Sequence, residues 1–220
     1  MNQHQQSLET LQDIKKMMER SSRFISLSGL SGISAGICAL IGAAIARPYV
    51  FSEKNLLIDE PAGIAQAVAG DYSIIFNTWL FWIAAATFIS ALGTAFFFTW
   101  IKSRREGIPI WGTTARRLLI NISIPLAVGA VYIFRLIHFG TFGLVAPGCL
   151  IFYGLGLINA SKYTLGEIRY LGYLQLLLGM INLWFVGYGL YFWAMGFGVL
   201  HIVYGVVMWY KYERNTGNQF

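Results

Sequence analysis

The sequence predicts an all-α polytopic membrane protein, six transmembrane helices arranged as three helical hairpins with the N- and C-termini cytoplasmic. Composition is the first reason. Of 220 residues, 56% are apolar and 12% charged, with a mean hydropathy of +0.58. A soluble domain carries about 25% charged residues and needs them to cover its surface. Disorder, a secreted disulfide scaffold and an ordinary cytosolic enzyme are excluded by this shortage. The second reason is six apolar runs near the roughly 20 residues with which a helix crosses hydrocarbon while satisfying every backbone group. The third is the placement of Lys and Arg, which are retained on the cytoplasmic side of short loops.

In order, the runs cover about 24–46, 76–100, 118–139, 142–160, 171–187 and 190–210. The first is free of charge and carries Gly29, Gly32, Gly36 and Gly42; the fifth is the shortest. An inside N-terminus makes Lys15, Lys16, Arg20, Arg23, Lys102, Arg104, Arg105, Arg116, Arg117, Lys162, Arg169, Lys211 and Arg214 cytoplasmic, thirteen of the sixteen basic residues. Only Arg47, Lys54 and Arg135 then fall outside. Trp79, Trp82, Trp184 and Trp193 lie toward the outer edge and Trp100, Trp111 and Trp209 toward the inner, the interfacial levels that indole prefers. Ala44-Ile45-Ala46 has the small-x-small form of a signal-peptidase site. The apolar run before it exceeds the roughly 7 to 15 residues of a cleaved signal, so an uncleaved span is expected.

Residues 1–23 read as a cytoplasmic amphipathic helix. Leu8, Leu11, Ile14, Met18 and Ile25 form its apolar stripe, with Lys15, Lys16, Glu19, Arg20 and Arg23 between them. Such a helix lies on an anionic leaflet; the same spacing is also a short heptad seam for self-association or partner docking, interrupted at Ser21. In the outer loop, Pro61 opens a short helix to about Ala69, and Glu53, Asp59, Glu60 and Asp71 read as solvated acids. The inner Lys102 to Arg117 loop sets basic residues around Pro109 and Trp111 and dips to the headgroups. Anionic lipid headgroups at Lys15, Lys16, Arg20, Arg23, Arg104 and Arg105 are the expected partners, with a second copy of the chain or a cytoplasmic protein beside them. Residues 211–220 form a cytoplasmic tail. The net charge of +6 sits in these flanks, and no basic run interleaved with aromatics supports nucleic-acid binding. Cys38 and Cys149 show neither a disulfide framework nor metal-ligand spacing, and no cofactor is expected.

Polar side chains inside hydrocarbon are costly and are the first candidates for function. His201 lies about 16 Å along the sixth run, near the midplane, with Gly198, Tyr204 and Gly205 on a face that a neighbour can approach closely. A turn near residues 188 and 189 puts Gln175 level with His201 and predicts a hydrogen bond between them, with Asn182 lining the same site. Asn121 falls level with Asn159 or Ala160 in the preceding hairpin. Two readings fit these residues: interhelical glue, or a ligand or proton site around His201. Arg135 and His138, with Tyr132 one turn earlier, share a face at the outer end of the third run. They read as an interfacial anchor, with capture of an anionic group as the alternative. No carboxylate falls inside a run, which removes the usual proton relay and general base. No hydrolase elbow, zincin, Walker or dinucleotide motif occurs, so no catalytic residue is assigned.

The last two hairpins match at an offset of about 50, Gly129 with Gly179, Gly148 with Gly198 and Leu150 with Leu200. This implies hairpins packed through glycine faces. GLSGISAGICAL from Gly29 and LLLGMINL from Leu176 resemble the repeated glycine-rich hairpins of small six-helix bacterial membrane proteins of the acid-resistance type, over about the last 100 residues. The resemblance implies a bacterial inner-membrane location and no residue-specific role. The expected function is non-enzymatic, structural or accessory to a partner. A small transporter or channel with a midplane site around His201 is the alternative, and a membrane enzyme comes third.

Overall fold

The computed structural model describes residues 28–51, 79–107 and 110–214, and of Glu106 the backbone alone. The expected amphipathic helix of residues 1–23 with its basic residues, the Pro61 to Ala69 helix and Pro109 lie outside the described residues. Among the described residues the chain is helical, with no strand. Helix α1 (Gly29–Val50) starts at Ser28, whose hydroxyl accepts from the Leu30 N–H at 3.2 Å. Helices α2 (Trp79–Glu106) and α3 (Thr113–His138) are each followed closely by a glycine of positive φ, Gly107 at 65° and Gly140 at 71°. At Gly140 the end is closed twice, by Thr141 N–H to the Leu136 carbonyl at 2.9 Å and Gly140 N–H to Ile137 at 3.0 Å.

A 3₁₀ turn, Phe142–Leu144, leads into α4 (Val145–Ala160), and α5 follows at Ile168–Asn182. A second 3₁₀ turn at Val186–Tyr188 opens α6, which runs on to Glu213 through two wide i→i+5 stretches, Ala194–Leu200 and Trp209–Glu213. Five segments are long and apolar enough to cross a membrane: α1, α2, α3, Phe142–Ala160 and Val186–Glu213. With 15 residues, α5 is shorter. It extends about 22 Å, against a hydrocarbon core of about 30 Å.

The boundaries differ from the apolar runs for a physical reason. Hydropathy stops at charge, whereas helical hydrogen bonding does not, so α2 continues past Trp100 to Glu106 and α3 begins at Thr113. Conversely, Leu183, Trp184 and Phe185 are as apolar as a helix but form a turn, so α5 ends at Asn182 rather than at residue 187.

Packing runs in a sequence of neighbours: α2 on α1, α1 on α6, α6 on α4 and α5, α4 on α5, and α3 on α4. The faces that meet a neighbour are rich in small and polar residues, with a few large apolar ones such as Leu150, Leu157, Ile168 and Leu171. On α5 the buried positions are Ile168, Leu171, Gly172, Gln175, Gly179 and Asn182, while Tyr170, Tyr173, Leu174, Leu177, Met180 and Ile181 face outward. Both sets keep three- and four-residue spacing, as a helix requires. Large apolar residues outside and small ones inside reverse the order of a water-soluble helix; α1 does the same, burying Gly36, Ala39, Gly42 and Ala43 and exposing Ile37, Ile41 and Ile45.

Backbones touch where glycines face each other. A Cβ on Gly205 would stand 2.6 Å from the Gly29 carbonyl oxygen and from the Ile33 nitrogen, and one on Gly36 would stand 2.7 Å from the Gly198 carbonyl oxygen. The α4–α5 contact repeats this: Cβ atoms on Gly154 and Gly172 would stand 2.8 Å and 2.9 Å from each other's carbonyl oxygens. At one end of the bundle the Glu213 carboxylate closes the α1–α6 seam. It accepts from the Gly29 N–H at 2.7 Å and the Ser28 hydroxyl at 3.3 Å, and pairs with Lys102 of α2 at 3.3 Å. A negative group over the first turn of α1 meets its unpaired N–H groups.

Gly205→Ala is expected to cost about 1–3 kcal/mol by forcing α1 and α6 apart. Gly93→Ala on α2, where a Cβ meets nothing within 4 Å, should leave the melting temperature unchanged or raise it. Thermal melts of the two variants in one detergent check this; equal melting temperatures would remove the seam from the account.

Candidate functional site

Gln175, His201 and Tyr153 converge where α4, α5 and α6 meet. Gln175, fully buried at 0% exposure, donates from Nε2 to the Gly196 carbonyl at 2.8 Å. His201 approaches the same oxygen with Nδ1 at 2.9 Å. A carbonyl only accepts, so Nδ1 carries the proton. Nε2 of the neutral ring is then the acceptor, and Tyr153 of α4 donates its hydroxyl to it at 2.8 Å. Two side-chain donors thus share one backbone oxygen. The Phe197 ring stacks on the imidazole, with 5.9 Å between centroids and 15° between planes.

The wide stretch Ala194–Leu200 makes this geometry. In an α-helix of 3.6 residues per turn, residue i+5 points about 140° away from residue i. An i→i+5 turn brings it back over residue i, and so the His201 ring comes round to the Gly196 carbonyl and the α4 side. The expected Gln175–His201 hydrogen bond is therefore replaced by a shared acceptor. The turn at residues 183–185 lies closer to α5 than the turn supposed at 188 and 189, which puts Gln175 level with Gly196 instead of His201. A Cβ on Gly196 would stand 2.5 Å from Gln175 Oε1 and closer still to Leu150 Cδ2, so a larger residue here would displace the side chains that now pack on it.

The Asn121–Asn159 pair is in contact. Asn159 Nδ2 donates to the Asn121 carbonyl at 2.8 Å and lies 3.4 Å from its Oδ1, while Asn121 Nδ2 donates to the Arg117 carbonyl at 2.8 Å. Asn182, also at 0% exposure, shares the buried stripe of α5 with Gln175 but lies seven residues further on. Neither of its amide atoms has a hydrogen-bond partner among the described residues, and the same holds for Gln175 Oε1 and the Tyr204 hydroxyl. Arg135, His138 and Tyr132 stay apart from this centre. Arg135 lies over the Phe139 ring at 4.6 Å, the His138 ring meets the edge of Phe139, and Tyr132 packs on Phe152 at 5.5 Å.

Glu167, immediately before α5, accepts from Tyr212 at 2.7 Å and from Lys211, so a second carboxylate ties the end of α6 to the rest. Burial opposes charge on Glu167, but the Lys211 and Tyr212 hydrogen bonds outweigh it and hold the carboxyl below its ordinary value. Tyr153, Gly196, Glu167 and Glu213 were not singled out by the sequence. A tyrosine or glycine in an apolar run carries no separate signal, and the widening of a helix turn is not written in hydropathy.

The comparisons give no relative. No family model matches the chain, and neither a curated protein nor a solved structure matches it.

A carboxyl held low in the fold stabilises fully above the unfolded value, about 4.3 for glutamate, and the contribution is lost as pH falls through the folded value. Melting temperature is therefore expected to drop below about pH 4 more steeply in the wild type than in Glu167→Gln. Parallel slopes for the two proteins would show that the Lys211 pairing contributes nothing.

Proposed function

We propose that the chain is a multi-pass protein of the cell membrane, crossing it six times with both termini cytoplasmic, and that its role is non-enzymatic: a rigid membrane-embedded scaffold or accessory subunit that engages a partner from the cytoplasmic side. Five long apolar helices and an outward surface of Leu, Ile, Phe and Trp support lipid surroundings. The turns support a sixth crossing. The 3₁₀ turns that open α4 and α6 pack against each other, so both helices start on one side. A chain that leaves α4 at its far end and re-enters α6 beside the start of α4 has to return between them, along α5. An even number of crossings puts the two ends together, and thirteen of the sixteen basic residues choose the cytoplasm for them.

The observation that carries the scaffold reading is what the interior polar groups bond to. Asn159 and Gln175 each give a hydrogen bond to a backbone carbonyl of a neighbouring helix, and glycine seams fix the spacing between those backbones. This is how helices are held in one arrangement when lipid offers no hydrophobic drive. The exposed handles are Arg104 and Arg105 at the end of α2, Trp111, and Arg116 and Arg117 at the start of α3. Arg104 lies over the Trp100 ring at 5.1 Å, an arrangement suited to the headgroup level. Photo-cross-linking from Trp111 in intact cells is expected to trap a reproducible product, a second copy or another protein. Reporter fusions at Met1 and Phe220 should report one compartment. Cross-linking to lipid alone would overturn the partner role, and opposite compartments would overturn the topology.

A second reading, a small transporter or channel, is favoured by one observation: Gln175 Oε1, the Asn182 amide and the Tyr204 hydroxyl are buried with hydrogen-bonding capacity unused by the described residues. Solute flux in liposomes that disappears in His201→Ala while the fold persists would select it. Flux equal to that of empty liposomes would reject it.

A further inference from the structure

We propose that Asn182 and the bare face of Gly189 form a binding site for one small uncharged hydroxyl group, that of water or of a slender polyol, where α5 ends between the starts of α4 and α6. The inference stands apart from the scaffold role and would hold under either reading above.

Asn182 is fully buried, and neither Nδ2 nor Oδ1 has a partner among the described residues. Its neighbours show that this is not how the fold uses amides as glue. Gln175 on the same stripe and Asn159 on α4 each have a backbone carbonyl at 2.8 Å. An amide serving only to fill volume would be better replaced by leucine, which has nearly the same size and nothing to leave unmet.

Space for a partner lies beside it. A Cβ built on Gly189 would stand 3.1 Å from the Ala146 Cβ and 4.0 Å from Asn182 Nδ2, with no other heavy atom named within 4 Å. A methyl carbon there would press on Ala146, so the space between Gly189 and the amide suits an atom smaller than a methyl group. An oxygen atom in it, displaced slightly toward the amide, reaches the usual N–H···O separation of about 2.9 Å.

Chemistry restricts the occupant. Asn182 offers donors and an acceptor together, so its complement both accepts and donates, as a hydroxyl does. No charged residue occurs on α4, the one on α5 is Arg169 at its opposite end, and those on α6 are Lys211 and Glu213 at its opposite end. These three helices offer an ion no counter-charge near Asn182, and a charge in this setting is far more costly than a neutral dipole. The size of the gap admits one oxygen, which leaves water or the terminal hydroxyl of a narrow molecule such as glycerol.

The test uses the full chain in phosphatidylcholine nanodiscs with ¹⁵N-asparagine, and reads magnetisation transfer from solvent water to side-chain amides. The Asn182 signal is identified by its loss in Asn182→Leu, and by its shift in Gly189→Ala should the leucine variant not fold. The expected result is strong transfer at Asn182 and weak transfer at Asn159, with the Asn182 transfer lost in Gly189→Ala, which fills the gap and keeps the amide. Adding glycerol separates the sources: a shift of the Asn182 signal with loss of water transfer marks the polyol, and no response marks water. Absence of both transfer and glycerol response overturns the proposal. So does a higher melting temperature in Asn182→Leu, because removing an unmet amide stabilises, whereas removing the host of a bound hydroxyl lowers the melting temperature.

Discussion

The structure depends on how closely α6 lets its neighbours approach. Gly196 and Gly198 are two residues apart and so point to nearly opposite sides of the helix. The first receives the Gln175 amide and Leu150 from the α4–α5 side, and the second receives Leu40 and faces Gly36 of α1. One helix thereby joins two halves of the bundle at nearly the same level. Gly205, two turns further on, continues the α1 contact toward Gly29 and Ile33. Without side chains at these points the backbones come within van der Waals distance over long stretches. The dispersion gained there replaces a hydrophobic drive that lipid cannot supply.

The same close approach explains why the interior polar residues are amides, a histidine and tyrosines instead of charged groups. Where two backbones touch through glycine, a carbonyl on one helix is accessible to a side chain of the next. In a medium of low dielectric such a bond is strong and its loss is costly. Gln175 and His201 therefore fix rotation as well as distance, because only one rotation of α6 presents the Gly196 oxygen to Gln175 of α5 and the His201 ring to Tyr153 of α4. The wide turn at Ala194–Leu200 belongs to this arrangement, since it brings the His201 ring to Tyr153 while its backbone still lies against Gly32.

The helical class, the long apolar segments among the described residues and the role of glycine were legible in the sequence because hydropathy and small-residue spacing report them directly. The Asn121–Asn159 level followed from the turn at residues 140 and 141, where Gly140 marks the end of α3. The Gln175 level did not, because Leu183, Trp184 and Phe185 conceal the second turn in apolar sequence, and a shift of a few residues in a hairpin moves its partner by about a helical turn. The residues that hold the ends together were hidden for another reason. Glu167 and Glu213 read as ordinary flanking acids, and nothing local shows that Lys211 and Lys102 come to meet them.

Those two acids make the ends of the bundle unlike. The last stretch of α6 turns Lys211 and Tyr212 toward Glu167, beside α5, and Glu213 toward Lys102 and the first N–H of α1. Three consecutive residues thus tie α6 to both halves through charge, and removing one member of a half-buried pair leaves its partner uncompensated. At the other end the contacts are aromatic: Phe51 with Tyr191 at 5.4 Å, Tyr188 with Tyr191 at 6.3 Å, and Phe185 stacked on Phe192 at 6.3 Å. Ring contacts of this kind give less orientation than ion pairs and tolerate sliding. The ion pairs of Glu167 and Glu213 oppose local opening at their end of the bundle. Asn182 lies away from those pairs, toward the aromatic end, whereas His201 is held by two hydrogen bonds.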